Sequence, residues 1–287
     1  DRDDQCHILQ VRPLVTPCIN STQIDRRDIS AELESAAVFL KNSLMPHPLI
    51  HGNTTVYSNM TDWNPAEIIG VKPRPLAVSL YRYLVTDEVW ARSRSSMGGR
   101  NMESVPLMHL IGGQPYIDVR ASLNSFIPQN ISSGLAEDLV NYYLEIISSE
   151  PRLHDKVEFD VVATCLDFDF GDFAEKLKAS GFKRGSIDEL KQALKHQTGR
   201  IINQNIQPFS ASRANLELME KRRAAILDVV DDDPASLCRA IGFLLYDCQK
   251  LGTFTFANLA RQGFIATIML HSLNKIGAVD GQNLAKI

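Results

Sequence analysis

The chain lacks what several common readings would need. Its 287 residues carry 30 lysines and arginines against 34 aspartates and glutamates, a formal net charge of −4, so no basic excess draws it to nucleic acid or to an anionic membrane. No apolar run approaches the ~18 residues of a membrane span; even Ala260 to Leu273 is interrupted by Arg261, Gln262 and His271. Cysteine is sparse and scattered. Cys6, Cys18, Cys165, Cys238 and Cys248 are odd in number and build no disulfide framework, which points to reduced thiols and a cytoplasmic location. Asp1 opens the chain without a charged and then apolar leader, so the expectation is a piece of a larger protein.

Familiar catalytic signatures are missing too. Gly98-Gly99 and Gly112-Gly113 do not continue into a dinucleotide fingerprint or a phosphate-binding loop. No serine or cysteine carries the local signature of a catalytic nucleophile, and Cys238 and Cys248 are too far apart to chelate one metal as a local motif. The triplets at Asn20, Asn53, Asn59 and Asn130 have the form of glycosylation acceptors but are short enough to arise by chance.

What remains is helical periodicity. Ile29, Leu33, Ala36, Leu40 and Leu44 predict an amphipathic helix over 28–44, and Leu80, Tyr83, Leu84 and Trp90 another over 76–92, followed by a basic Ser/Gly-rich loop to Arg100. Helices follow around Leu135–Ile146, Phe173–Ser180, Leu190–His196, Ser212–Val230, from Asp233-Pro234 to Leu251, and from Phe256 to Ile276. The last is apolar almost all round and is expected to be central. Residues 156–165 are ambiguous between strand and helix. The exceptions to the helical pattern are a short strand over Cys6–Leu14, a short strand candidate at Thr54-Thr55-Val56-Tyr57, and a hairpin: two apolar runs, Val105–Ile111 and Pro115–Ala121, flank Gly112-Gly113. Strand alternation through the second run would put Tyr116, Asp118 and Arg120 on one face. The fold class is therefore mainly α with a small β-hairpin, an α+β body over 26–287 preceded by linkage over 1–25.

The stretch Met60 to Gly70 concentrates the polar chemistry. Asn64-Pro65-Ala66-Glu67 is a helix start, with Asn64 at the N-cap and Pro65 in the first turn. Asp62 and Trp63 lie just outside that cap and are not explained by it. Asp62 can accept hydrogen bonds from its own loop, hold a cation, or bind a substrate hydroxyl. Arg74, fixed between Pro73 and Pro75, suits a phosphate or carboxylate ligand as well as a plain salt bridge. Arg261 falls near the start of a helix that should be largely buried, so it must meet a carboxylate or an anionic ligand.

Three segments carry a family resemblance. Ile8-Leu9-Gln10-Val11-Arg12-Pro13 resembles the strand that closes the ATP-grasp domain of the phosphoenolpyruvate synthase and pyruvate phosphate dikinase family. Gly112 to Ala121 resembles the G-G-R-x-Y-x-N-x-x-A strand that follows that domain in rifampin phosphotransferase-like members, with Asp118 where those have asparagine. Leu251-Gly252-Thr253, Phe256-Ala257, Leu259-Ala260-Arg261 and Phe264-Ile265-Ala266 resemble a longer segment of the same proteins.

The resemblance implies the central segment of a PEP-utilising phosphotransferase that uses ATP, Mg and a phosphohistidine relay. It implies Gln10 and Arg12 as remnants of the ATP site, and Asp62, Arg74, Asp118, Arg120 and Arg261 as groups that orient a small-molecule phosphoryl acceptor. ATP-grasp and phosphohistidine domains of the same polypeptide would be the partners. No histidine here has the G-G-x-x-[ST]-H context of a phosphohistidine, and no run of alternating strands and helices could build the phosphoenolpyruvate barrel. The chain alone is thus expected to bind no cofactor and to be inactive. The alternatives are a non-catalytic helical scaffold spacing the two missing domains, or an unrelated helical small-ligand-binding protein.

Overall fold

The computed structural model describes residues 26–203 and 209–280; the strand expected over 6–14, with Gln10 and Arg12, lies outside them. Among the described residues the body is mainly helical with one small antiparallel sheet. In chain order the elements are α1 (Arg26–Ser43), β1 (Tyr57–Ser58), α2 (Pro65–Ile68), α3 (Pro75–Tyr81), α4 (Val89–Ser96), β2 (Met108–Ile111), β3 (Gln114–Asp118), α5 (Val119–Phe126), α6 (Ser133–Ser149), α7 (Phe170–Ala179), α8 (Arg184–Asn203), α9 (Phe209–Val229), α10 (Pro234–Asp247) and α11 (Phe254–Lys275).

The expected hairpin is present. Met108 pairs with Ile117 and Ile111 with Gln114, and Gly112 and Gly113 both take positive φ, 58° and 73°, which the tight hairpin turn demands. A third strand, β1, adds to the other edge of β3, so the order is β1-β3-β2. The second strand stops earlier than its alternation implied. Asp118 accepts a hydrogen bond from the Ala121 amide at 3.1 Å and starts α5, so Arg120 lies in the first turn of a helix rather than beside Tyr116 and Asp118 on a strand face.

All eight residues of α5 are buried, and it divides two cores. Val119, Leu123 and Phe126 pack with Leu139, Leu144, Leu177 and Leu190 of α6, α7 and α8. Ala121 joins Tyr81, Trp90, Leu107 and Ile117 in the core between the sheet and α3–α4. Burying such aliphatic and aromatic side chains contributes about 1.5–3 kcal/mol each.

Several boundaries differ from the periodicity for identifiable reasons. The helix expected over 76–92 is interrupted: after α3 the chain widens into a π-helical turn, Arg82–Thr86, and α4 then runs on to Ser96 through what read as a basic loop. Ser186-Ile187-Asp188-Glu189 has the form of a capping box, but α8 already begins at Arg184. Glu189 instead accepts from the Ser132 amide at 2.6 Å and its hydroxyl at 3.2 Å, at the head of α6. The ambiguous segment forms a second π-helical turn, Val157–Val161.

Gly252 does not end a helix. It lies in a third π-helical turn, Cys248–Thr253, which joins α10 to α11 without a break in helical backbone. A side chain at Gly252 would meet the sulfur of Met219 on α9 at 3.3 Å. The first and third π-turns bond to each other: Gln249 Nε2 donates to the Tyr83 carbonyl at 2.6 Å and Thr253 Oγ1 to the Leu84 carbonyl at 2.9 Å, using carbonyls that a widened turn leaves available. Finally, α11 is not central. It buries Ala257, Arg261 and Ile265 but exposes Phe256; among the described residues the helix is covered along one side only. No helix among the described residues is long and apolar enough to cross a membrane.

Candidate functional site

A cavity of about 550 Å³ opens between the Asp62–Asn64 loop, α4, the end of α5, the Val157–Val161 turn and α11. Its volume is that of a small-molecule site, and its walls combine a paired-charge cluster with aromatic rings.

The loop holds unusual backbone. Asp62, Trp63 and Asn64 take φ of 45°, 58° and 33°, three successive left-handed residues without a glycine, each costing on the order of 1–2 kcal/mol. Tertiary bonds hold them there. The Asp62 carboxylate accepts from Ser122 Oγ at 2.7 Å and from Arg94 Nη2 at 2.6 Å. The Trp63 carbonyl accepts from the Tyr81 hydroxyl, whose pKa is pushed up by burial and by the Asp62 charge. The Asn64 side chain accepts from the Glu67 amide at 3.3 Å, the helix cap its sequence implied.

Arg94 and Arg261 converge from α4 and α11 on one face of the cavity. Their guanidinium carbons lie 4.0 Å and 4.7 Å from the centre of the Phe126 ring, a cation–π arrangement that a desolvated site strengthens. Arg94 also donates to Ser125 Oγ at 2.7 Å. Glu158, from the π-turn, bridges the two arginines: it bonds to Arg261 and approaches Arg94 at 3.6 Å. Burial pushes the Arg261 pKa down and the neighbouring Arg94 charge pushes it the same way, while Glu158 opposes both. Two cations and two carboxylates therefore balance on one wall, and removal of any partner strands a buried charge.

Around this cluster, Trp63 lies 6.1 Å from Phe256 and Phe159 stacks edge-on against Phe264 at 5.1 Å, centre to centre. At the base, Ser93 Oγ donates to Asn258 Oδ1 at 2.7 Å and ties α4 to α11. Trp90, also a lining residue, has its indole Nε1 buried and, among the described residues, without a hydrogen-bond partner.

The residues singled out from the sequence divide. Asp62 and Arg261 meet at the cavity although 199 positions separate them in sequence. Asp118 and Arg120 do not line it. Asp118 caps α5 and accepts from Thr55 Oγ1 at 2.8 Å, and Arg120 donates to the carbonyls of Gly52 and Ser43 at 3.2 Å and 2.6 Å. Arg74 is exposed before α3 and makes no capping bond.

The residues missed were Arg94 and Glu158. Trp90 and Arg94 are one helical turn apart and would have placed Arg94 on the Trp90 face; Glu158 had no such signal. Among the described residues no cluster of three or more His, Cys, Asp or Glu could hold a metal ion. Comparison of the chain with protein-family models, with curated proteins and with solved structures finds no match.

Proposed function

We propose that this body is the acceptor-holding domain of a phosphoenolpyruvate synthase-like phosphotransferase, and that the acceptor occupies the cavity between α4 and α11. The observation that carries the reading is the convergence of Asp62 and Arg261 with Arg94 and Glu158 on the wall of one small-molecule-sized space. In such an enzyme ATP charges a mobile histidine domain, which delivers the phosphoryl group to the held acceptor. Preorganised guanidinium groups in a dry site stabilise charge that develops on a phosphoryl group, and the aromatic rings hold an apolar body.

The chain has two tryptophans, Trp63 and Trp90, and both line the cavity. Tryptophan emission, excited selectively over the tyrosines, therefore reports on this site alone. Titration with small polar-headed aromatic compounds is expected to change the emission saturably, and Ala260→Phe, which fills the cavity from α11, to abolish the response. A chain that folds and responds to no compound in such a series refutes the reading.

The scaffold reading has its own support: the four charges already pair with one another, and α9 and α10 expose Leu218, Ile241, Phe243 and Tyr246, faces that neighbouring domains could cover. It predicts no saturable binding, and loss of phosphoryl transfer in a multidomain enzyme when those exposed residues are made polar.

A further inference from the structure

The two carboxylates of the cluster are built differently, and the difference specifies the ligand. Asp62 is fixed on both oxygens, by Arg94 and by Ser122, on a constrained backbone, and its side chain is 6 % exposed. Glu158 is 18 % exposed, stands on an irregular turn beside the exposed Phe159 and Asp160, and among the described residues its side chain bonds to the two arginines alone. It is the member of the cluster that can turn out to water without breaking any other bond.

When it does, Arg94 and Arg261 face Asp62, which leaves a buried excess of one positive charge. A single anionic group restores neutrality; a dianion overshoots. The guanidinium fork of Arg261, freed of Glu158, presents parallel N–H donors of the geometry a carboxylate accepts. The Trp63–Phe256 and Phe159–Phe264 pairs supply flat apolar walls beside this polar face.

Resting on the reading of the cavity as a ligand site, we infer that it takes a monocarboxylate with an aromatic or other apolar body, and that Glu158 is an internal stand-in which the ligand's carboxylate displaces. Glu158 thereby keeps the arginine pair neutral while the site is empty, and it favours charged ligands over neutral analogues, which offer the arginines nothing in exchange.

The test compares phenylacetate with its uncharged isostere phenylacetamide, by tryptophan fluorescence at pH 7 and fixed salt, in the unaltered chain and in Glu158→Gln. The expected result is that phenylacetate binds about tenfold more tightly than phenylacetamide, equivalent to ~1.4 kcal/mol. Glu158→Gln, which removes the competing carboxylate at nearly constant shape, tightens phenylacetate by about a further tenfold and leaves phenylacetamide unchanged. Equal or tighter binding of phenylacetamide in the unaltered chain overturns the inference while the ligand-site reading stands; so does a Glu158→Gln chain whose preference between the two compounds is unaltered. The comparison in the unaltered chain decides the matter on its own if Glu158→Gln fails to fold. Silence from both compounds in both proteins removes the ligand-site reading and this inference with it.

Discussion

Helix α5 separates two buried charged clusters that use their charges in opposite ways. At its N-terminal end, Asp118 and Arg120 spend their bonding capacity on backbone amides and carbonyls and on Thr55; they hold the sheet, α5 and the end of α1 together. At its C-terminal end, Ser122, Ser125 and Phe126 support Asp62, Arg94, Glu158 and Arg261, whose charges are matched mainly by one another at the edge of an open space. Backbone partners cannot leave; side-chain partners can. A charge committed to the main chain is architecture, whereas a charge committed to another side chain beside a cavity is available for exchange with a ligand.

The sharpest way to break this contrast is Arg94→Ala. It strands Asp62, buried on a left-handed loop, and is expected to lower stability by about 3–5 kcal/mol, seen as a fall in the urea midpoint, and to abolish ligand-dependent fluorescence. Asp118→Ala removes a helix cap and should cost about 1–2 kcal/mol while leaving the response to phenylacetate intact; a lost response would erase the distinction between the two ends of α5. Tyr81→Phe removes the hydroxyl that holds the Trp63 carbonyl. Its stability cost is about 1 kcal/mol, and its second readout is a weaker phenylacetate affinity, because Trp63 lines the cavity.

The smallest effect concerns His109 on the architectural side, where it packs against Phe39 and Tyr57 with Asp118 and Arg82 nearby. Burial lowers its pKa in the folded chain, partly offset by Asp118. The folded state therefore holds fewer protons at this site than the unfolded one below about pH 6.5, and stability falls as the pH drops through that value. Unfolding midpoints measured from pH 7 to 5 should show this slope, and His109→Gln should flatten it.

Local chemistry made much of the fold legible, while long-range convergence stayed hidden. Gly112-Gly113 announces its turn because both positions need positive φ, and Asn64-Pro65 announces a helix start because a cap and a fixed φ coincide there. The early end of β3 was also written in the chain: Val119, Leu123 and Phe126 recur at helical spacing directly after Asp118, a good N-cap. The period of two in Gln114–Asp118 masked it. Of the cavity, Asp62 and Arg261 were readable, the first as a carboxylate unexplained by the cap and the second as a charge in an apolar helix. Arg94 and Glu158 were not, because one lay in a helix that read as a loop and the other in a π-turn that has neither of the two regular periods.

The π-helical turn between α10 and α11 sets the angular phase of everything after it. A widened turn absorbs one extra residue, so each later position sits about 100° around the axis from where an unbroken α-helix would put it. Were the same residues to run α-helical from Pro234 onward, no residue of the charged wall would change. Yet Arg261 would swing by that angle, away from Phe126 and Glu158, and a different stripe of α11 would face the cavity. The electrostatic balance of the site thus depends on the width of one turn in a segment that contributes no atom to its wall.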